Sequence, residues 1–234
     1  MVDLYRKGIF MKINKKLIKY NFTANSNTPL YIVIHDTGNS SVGANSEMHY
    51  QYFNSGNKNS SAHFFVDNTQ ILQLVEVKDK AWHVGDGGNK YGISNGNSIG
   101  IELCINSDGN RDVMLNSTIE LIGYLMNTYN ISIDKVVRHF DASRKNCPQT
   151  MNNNGDWSDW NSFKDRVKKS LIKEVLGMFN DADKIGSWAK PSVDKMVNLG
   201  LVKGDDKNNF NPQGSLTREQ FCVVIDRLLA LLGK

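Results

Sequence analysis

The sequence predicts an α/β fold, a central mixed β-sheet flanked by helices, followed by a small all-α module at the C-terminal end. Three observations predict it. Short apolar runs of strand length alternate with segments of helical period over the first 175 or so residues, the composition shifts near Phe179, and 234 residues leave room for one medium domain plus an appendage. The expected domains are therefore residues 1–175 and 176–234.

Tyr31-Ile-Val-Ile-His35 is an apolar run that ends in histidine. Ala62–Asp67 and Ile71–Val75 flank the turn signal Asp67-Asn68, and Ser98–Cys104 is a further apolar run. These four segments read as strands. Asn116 is placed to cap a helix that carries Ile119, Ile122, Leu125, Met126 and Tyr129 on one side, and Trp160, Phe163, Val167 and Leu171 recur at helical spacing in a second. Beyond Phe179 come a helix with Val193, Met196 and Val197 on one stripe, a loop rich in Gly, Asp and Asn, and another helix. That last helix carries Phe221, Val224, Ile225, Leu228 and Leu232, and Thr217-x-x-Gln220 forms a capping box at its start. Two helices in roughly 55 residues bury only a marginal core, so the module is expected to lean on a neighbour or on another copy of itself.

Composition narrows the classes of function. Twenty-eight basic against 24 acidic side chains give a net charge of +4, a mild preference for anionic partners, and no aromatic-basic interleaving accompanies it. A nucleic-acid partner is not expected. No apolar run approaches the roughly 18 residues of a membrane span, and the N-terminal stretch lacks a secretory apolar segment with a cleavage site. Synthesis in the cytoplasm without a signal peptide is the expectation, and Met11 suggests that the ten residues before it are an extension outside the fold. The three cysteines are far apart and include no C-x-x-C pair, so a disulfide framework is not expected. Cys104 and Cys222 read as small buried hydrophobes, whereas Cys147 has polar neighbours.

The chemistry concentrates in Val136–Gln149, where His139 and Cys147 stand eight positions apart with Lys145 between them. An imidazole, a thiolate and one more donor suit Zn²⁺ with a position left open for water. His35 is the third candidate, because a strand terminus is where side chains from neighbouring segments converge; alone, it reads equally as a hydrogen-bonded structural histidine. Glu102 lies among Ile99, Ile101, Leu103 and Cys104, and an ionised carboxylate there costs several kcal/mol unless something satisfies it. A nearby metal would make it a general base, and a structural pair with Arg138 is the plainer alternative. Lys145 is either an oxyanion-stabilising cation or a solvated surface lysine.

These residues carry a resemblance. Ile32-Val-Ile-His35, Ser61–Asp67, Ala81-Trp-His-Val-Gly85, Gly100–Cys104 and Arg138–Pro148 resemble the zinc-dependent type-2 N-acetylmuramoyl-L-alanine amidases, a family that includes phage endolysins and the peptidoglycan recognition proteins. The resemblance spans about residues 20 to 172, and it rests on the spacing H-x-x-x-x-x-K-x-C with an upstream Ile-His and an internal Gly-Ile-Glu. It implies that His35, His139 and Cys147 hold Zn²⁺, that Glu102 is the catalytic acid/base and that Lys145 stabilises the transition state. His63, His83 and Trp82 would contact substrate. For His83 a local structural hydrogen bond is the alternative, and for His63 a supporting position behind a ligand. Ala62 stands where several members carry Tyr, and Asp36-Thr37 follows the first ligand where relatives vary. Relatives that bind peptidoglycan without cutting it usually lack the cysteine, which this chain retains, so hydrolysis of the muramoyl-alanine amide is expected over binding alone.

Phe179-Asn-Asp, Trp188-Ala, Gly200-Leu-Val-Lys-Gly204, Phe210-Asn-Pro212 and Leu216-Thr-Arg-Glu219 resemble one surface-layer homology (SLH) repeat, of the kind that attaches proteins to secondary cell-wall polymers. By that resemblance Arg218 would meet an acidic sugar through its guanidinium, the alternative being a carboxylate near the helix start. Such repeats usually act in threes and one is present here. Association between chains, weak binding by one repeat, and stabilisation of the amidase domain are the three roles open to it. A wall-lytic domain joined to a wall-binding module is the layout of a holin-released phage endolysin or an autolysin; a muropeptide-recycling amidase would not need the second module.

Overall fold

The computed structural model describes residues 13–231, so Met11 and the ten residues before it, like Leu232, lie outside the described residues. Two compact units divide at Val167–Lys168. The division falls inside one helix, Ser158–Leu176, near whose end the change in composition places the boundary.

The first unit is built on a six-stranded mixed sheet. Its strands are β1 (Ile13–Lys15), β3 (Tyr31–Asp36), β4 (Phe64–Val66), β5 (Ile71–Gln73), β7 (Ser98–Leu103) and β8 (Val136–Arg138), in the order β1-β5-β4-β7-β3-β8. Only β4 and β5 run antiparallel, as the two-residue turn after Asp67 requires; the other pairs are parallel. β2 (Phe22–Thr23) and β6 (Lys80–Ala81) form a separate antiparallel pair. The helices are α1 (Ser46–Phe53), α2 (Arg111–Tyr129), α3 (His139–Ser143) and α4 (Ser158–Leu176).

The pleat sorts side chains to two faces. Ile32, Ile34, Ile99, Ile101, Leu103, Phe64 and Val66 share one face and are fully or almost fully buried. Val33, His35, Gly100, Glu102, His63 and Phe65 share the other, which carries the chemistry. Both central strands are therefore apolar on one side and polar near the C-terminal end of the other.

Four expectations need correction. Helix α2 begins at Arg111 with Asn110 as its cap, whose side chain accepts from the Val113 N–H at 3.1 Å; Asn116 is exposed in mid-helix. The extra turn forms because Met114 and Leu115 bury there. β8, α1 and α3 were not expected as elements, and each is too short for hydrophobic periodicity to register. Cys222 is exposed, not buried. Phe221, Ile225 and Leu228 are likewise exposed, so the apolar stripe of α6 (Arg218–Leu231) is not core.

The second unit packs around Phe179, Ile185 and Val193, with Val197 and Phe210 against them. Val193 and Val197 come from α5 (Lys190–Asn198). Asp181 ties the loop to this cluster by accepting the N–H groups of Phe210 and Asn211 at 2.7 and 2.9 Å. The capping box at α6 forms as expected, with the Gln220 N–H donating to Thr217 Oγ1 at 3.1 Å and the Thr217 N–H to Gln220 Oε1 at 3.0 Å.

Asp67 joins the start of α1 to the β4–β5 turn. Its buried carboxylate accepts from Ser46 N–H and Oγ at 2.9 and 2.6 Å and from Thr69 N–H and Oγ1 at 2.7 and 2.6 Å. Burial alone would raise this acid, but those bonds outweigh it and hold Asp67 below the usual carboxylate range. A depressed folded-state value means that the stabilisation is present above the unfolded value of about 4 and is lost as pH falls through the folded one. Asp67→Ala is expected to lower stability by about 2–4 kcal/mol in urea unfolding at neutral pH, and the loss should shrink when unfolding is repeated at acid pH.

Candidate active site

Strand β3 lies between β7 and β8, and this pairing brings the site together. His35 pairs directly with Glu102 on β7, and Ile34 pairs with Arg138, the residue before His139. At Arg138 the chain turns from strand into α3, with the Arg138 N–H donating to Asp141 Oδ2 at 2.9 Å. After α3 the loop returns, and the Phe140 N–H donates to the Cys147 carbonyl at 3.0 Å. That bond brings the thiol back to the imidazoles.

The three expected ligands converge. His35 Nδ1 lies 3.0 Å from His139 Nδ1 and 3.8 Å from Cys147 Sγ, and all three donor atoms fall within 4.8 Å of one another. All three residues are buried. Tetrahedral zinc with its usual bond lengths separates two nitrogens by about 3.3 Å and a nitrogen from a sulfur by about 3.6 Å, close to what is observed. Burial, then His83 and His139, hold His35 well below its ordinary value, and burial also lowers His139. Both imidazoles are thus neutral, the form that binds a metal. Burial and the Glu102 charge push the Cys147 thiol up to about 12, although a backbone N–H of Asp36 hydrogen-bonds it. A cation at this point supplies what the thiolate lacks, so the donor set fits zinc.

Glu102 stands beside the cluster, with Oε1 4.0 Å from His35 Nδ1 and Oε2 buried without a hydrogen-bond partner. Burial and the neighbouring Asp36 raise its carboxyl to about 8, and Lys145 partly opposes them. The alternative pair with Arg138 does not form, because that guanidinium bonds Asp141 at 2.6 Å and lies 4.3 Å from the Trp157 ring centroid. Lys145 is exposed, and its charge is felt at His35, Asp86, Glu102, His139 and Cys147.

His63 and His83 both have hydrogen-bond partners within the sheet region. His63 is fully buried; its Nδ1 accepts the Gly100 N–H at 3.0 Å and its Nε2 faces the Asp79 carbonyl at 3.0 Å. His83 Nδ1 meets His35 Nε2 at 3.0 Å and its Nε2 meets Ser98 Oγ at 3.2 Å, so both ring nitrogens are engaged. A β-carbon at position 100 would come 2.7 Å from the His83 ring, so glycine is what lets the ring lie against β7. Trp82 is half-buried and donates its indole N–H to Thr23 Oγ1 at 3.2 Å. Arg218 is exposed in the first turn of α6, in the second unit.

One residue escaped the sequence reading. Asp86, in a short turn at Gly85–Gly87, places Oδ1 2.8 Å from His139 Nε2. Burial would raise its carboxyl, yet the bond to His139 prevails and lowers it. The turn is wedged against α3, since a β-carbon on Gly87 would fall 2.2 Å from the Ala142 carbonyl. Gly85-Asp-Gly-Gly reads as an ordinary loop in sequence, and its only signal was nearness to the Trp82-His83 pair.

The profile of the N-acetylmuramoyl-L-alanine amidase family matches residues 25–150, more than half of the chain. The chain belongs to this family. The S-layer homology domain profile matches residues 179–222. Among relatives, the amidase CwlH of Bacillus subtilis (strain 168) is 37% identical over 142 residues, covering 61% of this chain and 54% of its own length. The amidase XlyA of the same strain is 40% identical over 137 residues, covering 58% and 43%. The chain thus spans about half the length of these relatives. A solved structure described as a mutant endolysin from Bacillus subtilis superposes with a TM-score of 0.61 at 35% identity, over 68% of this chain and 99% of that one. The six-stranded mixed sheet with its helices is thereby the amidase fold of this family.

If His139 holds zinc, Asp86→Ala is expected to weaken that binding by about 10- to 100-fold while the sheet stays folded, since the imidazole loses the acceptor that orients it. Competition with a chromogenic chelator measures the affinity, and circular dichroism checks the fold.

Proposed function

We propose that the chain is a zinc-dependent N-acetylmuramoyl-L-alanine amidase that hydrolyses the amide between the lactyl group of muramic acid and the L-alanine of the stem peptide, acting as an endolysin on Gram-positive walls. One observation carries this reading: the donors of His35, His139 and Cys147 lie within 4.8 Å of one another beside a buried carboxyl raised to about 8. Zinc held by these three residues supplies Lewis acidity toward water and the scissile carbonyl. Glu102 takes the proton of the attacking water and returns it to the departing alanine nitrogen. A carboxyl raised toward neutrality binds a proton more readily than a solvated one, so in its ionised form it can accept the proton of the water and then give it up in the second half of that exchange. Lys145 contributes positive charge where the carbonyl oxygen turns anionic. His83 and Asp86 hold the two imidazoles in the orientation that keeps each Nδ1 directed inward. Trp82 contributes an aromatic wall to the substrate side.

The second unit directs the enzyme to the wall. We assign Arg218 to an acidic group of a secondary wall polymer, which a forked guanidinium suits. The exposed Phe221, Ile225 and Leu228 on α6 support self-association through the same unit.

Glu102→Gln is expected to keep zinc and lose at least 10³-fold of turnover; wall lysis near the wild-type rate in a folded, zinc-loaded variant would remove Glu102 from the mechanism. Cys147→Ser is expected to lower zinc occupancy, read by atomic absorption. Products should show free muramic lactyl groups and new N-terminal alanine, and walls bound without new amino groups would mark a binding protein instead. Arg218→Ala in the full chain should reduce co-sedimentation with purified walls while leaving hydrolysis of soluble muramoyl peptides intact.

A further inference from the structure

We propose that Ser98 is a positioning residue for the metal centre: through His83, its hydroxyl fixes the tautomer of His35 that leaves Nδ1 bare for zinc. This rests on the zinc-amidase reading. Ser98 is fully buried at the start of β7, on the strand that also carries Glu102.

A row of close polar contacts leads from Ser98 to the clustered donors. Ser98 Oγ lies 2.5 Å from the Ser94 carbonyl and 3.2 Å from His83 Nε2, His83 Nδ1 lies 3.0 Å from His35 Nε2, and His35 Nδ1 lies 3.0 Å from His139 Nδ1. A neutral imidazole carries one proton, on one nitrogen or the other, so such a row can run in either of two directions. Run inward, Ser98 donates to His83, His83 to His35, and His35 Nδ1 to His139, which puts a proton where the metal belongs. Run outward, His35 Nε2 donates to His83 Nδ1 and His83 Nε2 donates to Ser98. His35 Nδ1 is then bare.

The Ser94 carbonyl selects the outward direction. It has no proton to give, so the single proton of the Ser98 hydroxyl fills the 2.5 Å contact. Toward His83, Ser98 Oγ is therefore an acceptor, and His83 must carry its proton on Nε2 and accept at Nδ1. The carbonyl is itself held in place by a turn: the Asn97 N–H donates to it at 3.3 Å, and the Ser94 N–H donates to Asn97 Oδ1 at 2.8 Å. Burial, then His63 and His139, hold His83 well below its ordinary value, with the Ser98 carbonyl opposing them in part. The ring is thus neutral, and the two directions exclude one another.

His139 reaches the same state by a separate route. Its Nε2 lies 2.8 Å from Oδ1 of the Asp86 carboxylate, which only accepts, so its Nδ1 is bare as well. Two bare nitrogens 3.0 Å apart repel one another until a cation enters between them.

The test reads the tautomers directly, by long-range ¹H–¹⁵N correlation on the full-length, ¹⁵N-histidine-labelled protein freed of metal by chelation. Wild type should show Nε2 protonated and Nδ1 bare in both His35 and His83; a proton on Nδ1 of either overturns the proposal. Ser98→Ala removes the hydroxyl acceptor. It should move the His83 proton to Nδ1 and weaken zinc binding about tenfold in chelator competition, with circular dichroism as in wild type. An unchanged His83 tautomer, or an unchanged zinc affinity, in the folded variant overturns the role of Ser98. If the variant does not fold, the wild-type spectrum decides alone. If wild type binds no zinc, the zinc reading fails, and the wild-type tautomers still decide the direction of the row.

Discussion

The site depends on the parallel pairing of β3 with β7 on one side and β8 on the other. Side chains in paired positions of a parallel ladder emerge on the same face. The register His35↔Glu102 and Ile34↔Arg138 therefore brings a carboxyl from one neighbour beside the first imidazole and starts α3, at His139, beside it from the other. A slip of one residue in either ladder would send one member of the set to the apolar face. The fully buried Ile32, Ile34, Ile99 and Ile101 on that face oppose such a slip. Hydrophobic burial on one side of the sheet thus holds the chemistry in place on the other.

Burial keeps both imidazoles neutral and raises the Cys147 thiol and the Glu102 carboxyl together. Arg138 is committed to Asp141 and the nearby aromatic rings, and Lys145, exposed on its loop, opposes these shifts only in part. A cation among these groups would favour the thiolate and the carboxylate, the charged forms that burial opposes. Neutral nitrogens and a thiolate sulfur are the donors zinc prefers.

Orientation of the clustered imidazoles comes from residues outside the cluster. His83 braces His35 from its far nitrogen and in turn meets Ser98, while Asp86 braces His139. Both supports depend on missing side chains: Gly100 makes room for the His83 ring, and Gly87 lets the Asp86 turn approach α3. The second unit follows a different plan. Its loop is held by backbone hydrogen bonds to Asp181 and its last helix by the Thr217–Gln220 box, yet the apolar side chains of that helix face outward, as suits a module that meets something else.

Much of this was legible before any coordinates. The alternation of short apolar runs and helical periods announced a sheet with helices, the composition change near Phe179 announced a second module, and the spacing of His139, Lys145 and Cys147 with an upstream Ile-His announced the cluster in which His35, His139 and Cys147 meet. Those features are local or depend on residue types that few roles share. Tertiary structure alone decided the rest. Asp86 lies 53 residues from His139 and sits in a glycine-rich turn with no pattern of its own, so only packing against α3 shows its role. For His63 and His83 the sequence left open a contact with substrate or a local hydrogen bond, and the partners that the sheet gives them, the Gly100 N–H and Asp79 carbonyl for one and His35 and Ser98 for the other, are visible only in three dimensions. The start of α2 and the exposure of Cys222 were misjudged for a related reason: periodicity reports which residues are apolar, and only the surrounding chain determines which of them are covered.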